Sequence, residues 1–159
     1  MRENEIGTRV LEAAINVHRE LGPGLLEMVY EFILARELSD HGLKVERQVP
    51  VPIIYKGIRF EEGFRADIII EKKVLLGLKS IERISPAHKK QVQTYLRLTG
   101  LKLGYLLNFG ERRSQNRYHS LREWAGRRAS PAAIQGCGEI LNKNLKALRL
   151  CGISIHSKQ

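Results

Sequence analysis

The sequence predicts one α/β domain, an α+β arrangement around a mixed sheet, and three patterns carry that prediction. Apolar residues recur at helical spacing through two segments, then at period two through several more, then at helical spacing once again before a last alternating run. The length of 159 residues suits a single domain, and a core of that size needs neither disulfides nor a structural metal. No apolar run approaches the roughly 18 residues needed to span a bilayer. The start, MRENEIGTRV, lacks an apolar signal region. A cytoplasmic protein without a membrane partner is therefore expected; the oligomeric state is left open.

The elements follow in order. Ile6, Val10, Ala13, Ala14, Val17 and Leu21 make one apolar helical stripe, with Asn4 as its expected cap and Gly22-Pro23-Gly24 as its stop. A second helix is expected over 25–40, with Leu26, Val29, Tyr30, Ile33 and Leu38 inward and Gly42 beyond its end. Val45, Val49, Val51, Ile53 and Tyr55 then alternate. Pro50 and Pro52 share one parity, as on a sheet edge where their missing N–H groups face no neighbour. Lys56-Gly57 turns into a short strand over 58–60, a further strand covers 64–70, and Glu71-Lys72-Lys73 turns into a strand over 74–80. Ser85-Pro86 opens a helix that runs to Thr99 and stops at Gly100. Leu103, Tyr105, Leu107 and Phe109 alternate as the last core strand. The early strands are joined by short turns and should be antiparallel, while the last follows a helix and can pair in parallel.

Charge is uneven along the chain. The formal net charge is +10, and residues 111–159 hold 10 Lys/Arg against 3 Asp/Glu. Such a basic extension can hold phosphates through counterion release, or it can be a solvated tail with no partner. The pattern fades there: a short helix around Trp124 (120–128) and another over 139–150 are expected, with residues 129–159 partly disordered. The division is thus 1–110 as the domain and 111–159 as a basic extension, partly helical or disordered. Cys137 and Cys151, the only cysteines, lie in that extension without a Cys/His cluster, so a zinc site is not expected and reduced thiols are.

The chemistry concentrates around two strands. Asp67 lies in FRADIII; Gly77 and Lys79 lie in VLLGLKS and share a strand face. A lysine in an apolar strand is costly to bury and needs a partner or a task. It can pair with Asp67 simply to hold the sheet, or serve a site. On the following helix His88, Gln91 and Tyr95 fall on one face at i, i+3 and i+7. His18 and His41 are expected at the surface, and His88 at an exposed helix position.

The runs HRELGPGLLEMVYE, ERQVPVPIIYKG, RADIII, LLGLKS, HKKQVQTYLRLTG and LGYLLNFG occur in this order. Together they resemble the GxxExxxR protein family, placed among PD-(D/E)XK nuclease-like proteins, over about residues 5–110. Gly24 and Glu27 match the opening of the motif that names the family, but position 31 carries glutamate where that motif has arginine. The resemblance implies a restriction-endonuclease-like αβββαβ core, here with an extra N-terminal helix. It implies an acid on an early helix, matched by Glu27, and a strand aspartate, matched by Asp67. It also implies a Glu-x-Lys strand whose lysine is Lys79, and a Gln-x-x-x-Tyr helix matched by Gln91 and Tyr95. It further implies Mg²⁺ or Mn²⁺ held by Glu27 and Asp67, with DNA or RNA as partner.

This chain departs from the pattern at Gly77, where the acid of Glu-x-Lys should stand. Phosphodiester hydrolysis needs a water placed in line with phosphorus and charge neutralised on the phosphate. A metal does both through carboxylates, and a lysine can orient the water or stabilise developing charge. Glycine offers no ligand; Glu27, Glu31 or Glu82 could replace it, with Glu82 ranked below Glu27 because it lies past the strand. Three readings stay open: a metal-dependent nuclease with a displaced ligand, a catalytically impaired module that binds nucleic acid or protein, and a structural module.

Overall fold

The computed structural model describes residues 1–110 and 154–158. In chain order the elements are α1 (Glu3–Leu21), α2 (Glu27–Asp40), β1 (Val45–Tyr55), β2 (Ile58–Ile70), β3 (Val74–Lys79), α3 (Pro86–Thr99), β4 (Leu103–Asn108) and β5 (Ser154–Lys158). The strands form one sheet in the order β1-β2-β3-β4-β5. The first three pair antiparallel, β4 joins β3 in parallel across α3, and β5 returns antiparallel to β4. This is the mixed sheet that the sequence predicts.

Helices cover both faces. On one, α1 and α2 bury Ile6, Val10, Tyr30, Leu34 and Leu38 against Ile68, Ile70, Leu76, Leu78 and Leu107. On the other, α3 buries Val92, Tyr95 and Leu96 against Val51, Ala66, Leu75 and Leu106. The central strands β3 and β4 are therefore buried on both sides, which explains their near-continuous apolar runs.

Several local details differ from the sequence-based expectations. Asn4 does not cap α1: the helix starts at Glu3, and the Glu5 carboxylate accepts the Arg2 N–H at 3.1 Å, satisfying a donor that has no intrahelical partner. The predicted strands at 58–60 and 64–70 are one strand. Val51 pairs with Phe64 and Ile53 with Phe60, so three residues of β2 bulge opposite one of β1. Gly63 makes the bulge fit, because a Cβ there would stand 2.9 Å from the Val51 carbonyl oxygen. Lys56 and Gly57 both take left-handed φ between Tyr55 and Ile58, the two-residue hairpin expected of that pair.

His18 is buried rather than exposed; it lies one turn after Ala14 on the inner stripe, with its ring 5.9 Å from that of Phe109. Residues 154–158 are a strand on the β4 edge, an element absent from the sequence reading of the extension. The expected helices at 120–128 and 139–150, together with Cys137 and Cys151, lie outside the described residues. No described helix is long and apolar enough to cross a membrane.

The bulge yields a direct test. Gly63→Ala forces a methyl group against the β1 backbone and should destabilise the chain by about 1–3 kcal/mol, the usual cost of overpacking. Urea denaturation measures this; an unchanged midpoint would show that the hairpin absorbs the methyl group.

Candidate active site around Asp67 and Lys79

The site begins with a fault in β2. Residues two apart on a strand should share a face. Ala66 instead packs under α3, while Ile68 packs under α1 and α2. The alternation therefore breaks at Asp67. Across from it on β1, Gln48 has a φ of 51°, between the regular pairs Arg47↔Ile68 and Val49↔Ala66. A left-handed residue inside a strand is uncommon for a side chain of this kind. On its other side, β2 pairs with β3 from Ile70↔Val74 to Ile68↔Leu76, and the described register ends there. Asp67 Oδ2 accepts the Leu78 N–H at 2.7 Å. A side-chain carboxylate thus takes the place of a backbone carbonyl where the two strands part.

Lys79 ends β3 at this point. Its Nζ donates to Glu27 Oε1 at 2.9 Å and to the Leu78 carbonyl at 2.6 Å. It shares the strand parity of Gly77, yet its flexible four-carbon stem brings the ammonium to a residue of α2. Among the described residues its ion-pair partner is Glu27, not Asp67, so the simple Asp67–Lys79 sheet clamp does not form. Asp67 senses Lys79 only through space.

The chain presents Glu27 by tying down the loop before α2. The Tyr30 hydroxyl donates to the Gly22 carbonyl at 2.5 Å and accepts the Leu25 N–H at 3.3 Å. Its ring stacks on Phe109 at 4.5 Å. Ser80 Oγ donates to the Leu25 carbonyl at 2.6 Å, which joins this loop to the residue after Lys79. Fully buried Asn108 holds the next residue: its amide bonds both the N–H and the carbonyl of Ile81. The acid on the helix and the lysine on the strand are thus fixed by one connected set of hydrogen bonds.

Glu31 is a nearby acid that the sequence reading names only as a substitute ligand. It is buried, and its two oxygens accept Arg47 Nε at 2.9 Å and Gln48 Nε2 at 2.5 Å. It therefore braces the irregular part of β1 from α2. The signal was present in the sequence: Glu31 stands one turn beyond Glu27, beside Tyr30 and between apolar positions that had to be inward, so a buried charge should have been expected to have partners.

Gln91 and Tyr95 hydrogen-bond to each other, Nε2 to hydroxyl, at 2.8 Å. Tyr95 is buried with its ring 5.2 Å from Phe64, and Gln91 is exposed. His88 is half-buried, and its Nδ1 takes the Ser85 N–H at 3.1 Å, so it completes the cap of α3 instead of standing free at the surface. Glu82 is exposed and shares a shallow depression with Glu27 and Ser80. Gly77 lies under the same helix. A Cβ there would meet Val92 Cγ2 at 3.0 Å and Leu106 Cδ1 at 3.5 Å, so its missing side chain starts in the apolar layer beneath α3.

These residues do not fit a divalent cation as they stand. Mg²⁺ usually takes one or two carboxylates and completes its shell with waters and substrate. Here Glu27 is drawn to Lys79, Glu31 is held by Arg47 and Gln48, and Gly77 supplies nothing. Among the described residues no three His, Cys, Asp or Glu side chains converge as ligands. Burial pushes the Asp67 carboxyl above the ordinary carboxylate range. The Leu78 N–H and Lys79 pull it down, and the nearby Glu27 and Glu31 raise it further.

That shift has a stability consequence of fixed sign. The folded chain holds the Asp67 proton more tightly than the unfolded chain does, so stability falls as pH rises from the ordinary carboxylate range through the raised value. Asp67→Asn keeps an acceptor for the Leu78 N–H and removes the charge. It should flatten that stretch of the stability–pH curve and raise Tm at neutral pH by about 2–4 °C, a modest change for a chain of this size. Thermal melts across pH check this; a lower Tm at neutral pH would mean that the ionised carboxylate stabilises the fold.

Comparison with known proteins adds one positive result. A family model described as the PD-(D/E)XK nuclease superfamily matches residues 4–120. Searches of curated proteins and of solved structures give no match. The match covers most of the chain, from the first turn of α1 through β4, and the αβββαβ order with its mixed sheet is the one expected of such a fold. The chain belongs to the PD-(D/E)XK nuclease superfamily.

Proposed function

We propose that this protein binds nucleic acid through a nuclease fold whose cleavage centre is one carboxylate short. The observation that carries the proposal is Gly77, which stands two residues before Lys79 where a carboxylate is expected. The surroundings support it: Glu27 is neutralised by Lys79, and the space beyond Gly77 is lined by Val92 and Leu106. Asp67, Glu27, Lys79, Gln91 and Tyr95 are the proposed site, with Glu31 and Gln48 as its brace. Membership in the GxxExxxR family in particular is part of the proposal, supported by Gly24, Glu27 and the ordered motifs around them.

A second reading is favoured by one observation. Burial raises the Asp67 proton affinity, and the nearby charges of Glu27 and Glu31 add to it, so three acids contribute to one negative region. Mg²⁺ or Mn²⁺ attracted to that negative potential could displace Lys79 from Glu27 and give a metal-dependent nuclease after all.

Cleavage and binding assays on single- and double-stranded DNA, with Mg²⁺ or Mn²⁺, separate the two. The proposal expects salt-sensitive binding and cleavage no faster than that of Asp67→Ala. Loss of a group that only hydrogen-bonds to a metal ligand already costs about 10–100-fold, so a missing ligand should cost at least as much. Gly77→Glu combined with Val92→Ala, which makes room for the new side chain, should raise cleavage at least tenfold, or about 1.4 kcal/mol of barrier. Metal-dependent cleavage by the unaltered chain that Asp67→Ala abolishes would overturn the proposal in favour of the second reading.

A further inference from the structure

The charge of the described domain is divided sharply between two parts of the chain. Residues 1–82 hold 12 Lys/Arg against 14 Asp/Glu. Residues 83–110, which contain α3 and β4, hold 5 Lys/Arg and no Asp or Glu. Lys90, Gln93, Thr94, Arg97 and Lys102 line one shallow groove along the outer flank of α3 and the turn into β4. Lys90 and Arg97 stand seven residues apart, two turns along one side of the helix. Gln93 and Thr94 lie between them and add neutral hydrogen-bond donors. Among the described residues no carboxylate pairs with Lys89, Lys90, Arg97 or Lys102.

We infer that this groove is a phosphodiester-backbone contact surface, distinct from the Asp67–Lys79 site and from the basic extension. Like charges gathered on one helix repel one another, and a polyanion that releases counterions offsets that cost. The groove has an electrostatic character suited to phosphates and carries neutral donors to orient them. A lipid surface fits it less well, because peripheral helices insert an apolar face beside their cations. The groove's apolar lining residues, Leu96 and Leu101, are buried and half-buried, and none of the large exposed hydrophobic side chains among the described residues belongs to α3 or β4. Lys90 precedes Gln91 by one residue, so the groove and the Gln91–Tyr95 pair lie about 100° apart around the helix. A strand held on the outer flank would pass beside the candidate site rather than enter it end-on.

The inference rests on the nucleic-acid-binding reading proposed above, and one experiment separates their failures. The probes are a labelled single-stranded oligonucleotide, its duplex, and phosphatidylserine vesicles, each titrated over a salt series with the full chain. Substitutions are preferable to truncation because residues 154–158 form a strand of the sheet. The variant Lys90→Gln, Arg97→Gln, Lys102→Gln should lower the slope of log K against log salt by about 2–3 units, at roughly 0.7–0.9 per lost phosphate contact. The control Arg36→Gln, Lys44→Gln, Lys72→Gln removes the same charge from exposed positions elsewhere and should leave most of the slope in place. Whichever strand form loses the larger slope is the backbone that the groove holds. An unchanged slope in the groove variant, with wild-type binding intact, overturns the groove alone. Equal losses in both variants overturn it too, leaving only net charge. No binding by the wild type to either oligonucleotide, or binding only to vesicles, overturns the groove and the proposed function together.

Discussion

The hydrogen bond from Leu78 N–H to Asp67 Oδ2 is the contact on which the geometry of the site depends. A strand in the middle of a sheet cannot leave its backbone groups unpaired. Once β2 breaks its alternation, the next donor of β3 needs another acceptor, and Asp67 supplies it. That substitution lets the two strands part without leaving a buried N–H unsatisfied, and it leaves Lys79 at the end of β3, free to turn toward α2. On the far side of β2, Gln48 accommodates the same irregularity with a left-handed backbone, and Glu31 braces it. The site is thus a managed defect in the sheet, supported by side chains from α2, β1 and β4.

The packing around Gly77 also explains how a glycine is accommodated inside β3. Gly77 pairs in register with Leu106, and Val92 fills the space above it, so the sheet remains well packed there. Glycine contributes no side-chain ligand at this position. The lysine then has Glu27 as its ion-pair partner, and the remaining acids are either paired or braced. Scaffold and chemistry are separable here: the elements α1 to β4 build the superfamily architecture, whereas the proposed loss of a ligand concerns one side chain.

Much of this was legible in the sequence because it depends on short-range pattern. The period-two runs, the Lys56-Gly57 turn and the Ser85-Pro86 helix start each encode an element within a few residues, and Asp67 and Lys79 stand out as charges inside apolar strands. The features that were not legible depend on long-range geometry. His18 reads as a polar surface residue from its neighbours in sequence, and its burial beside Phe109, far along the chain, depends on tertiary packing. The bulge at Gly63 needs the register of β1 to be visible, and Lys79 chose Glu27 over the nearer-looking Asp67 because the Tyr30-tied loop brings α2 to the strand end. The strand at 154–158 is a short run, SIHSK, with no strong alternation of its own; its place comes from the β4 edge that it covers. The acid-free stretch 83–110 was readable as composition, but only the fold turns it into one groove.

The most direct test of this account is the Leu78 backbone amide observed by ¹H–¹⁵N NMR as a function of pH. If the Asp67 carboxylate accepts that N–H where the strands part, the Leu78 amide should be protected from exchange. Its proton should move downfield as Asp67 ionises, with a midpoint above the ordinary carboxylate range. A Leu78 amide that exchanges as fast as those of exposed loops, or that does not respond to pH while Asp67 titrates, would contradict the account.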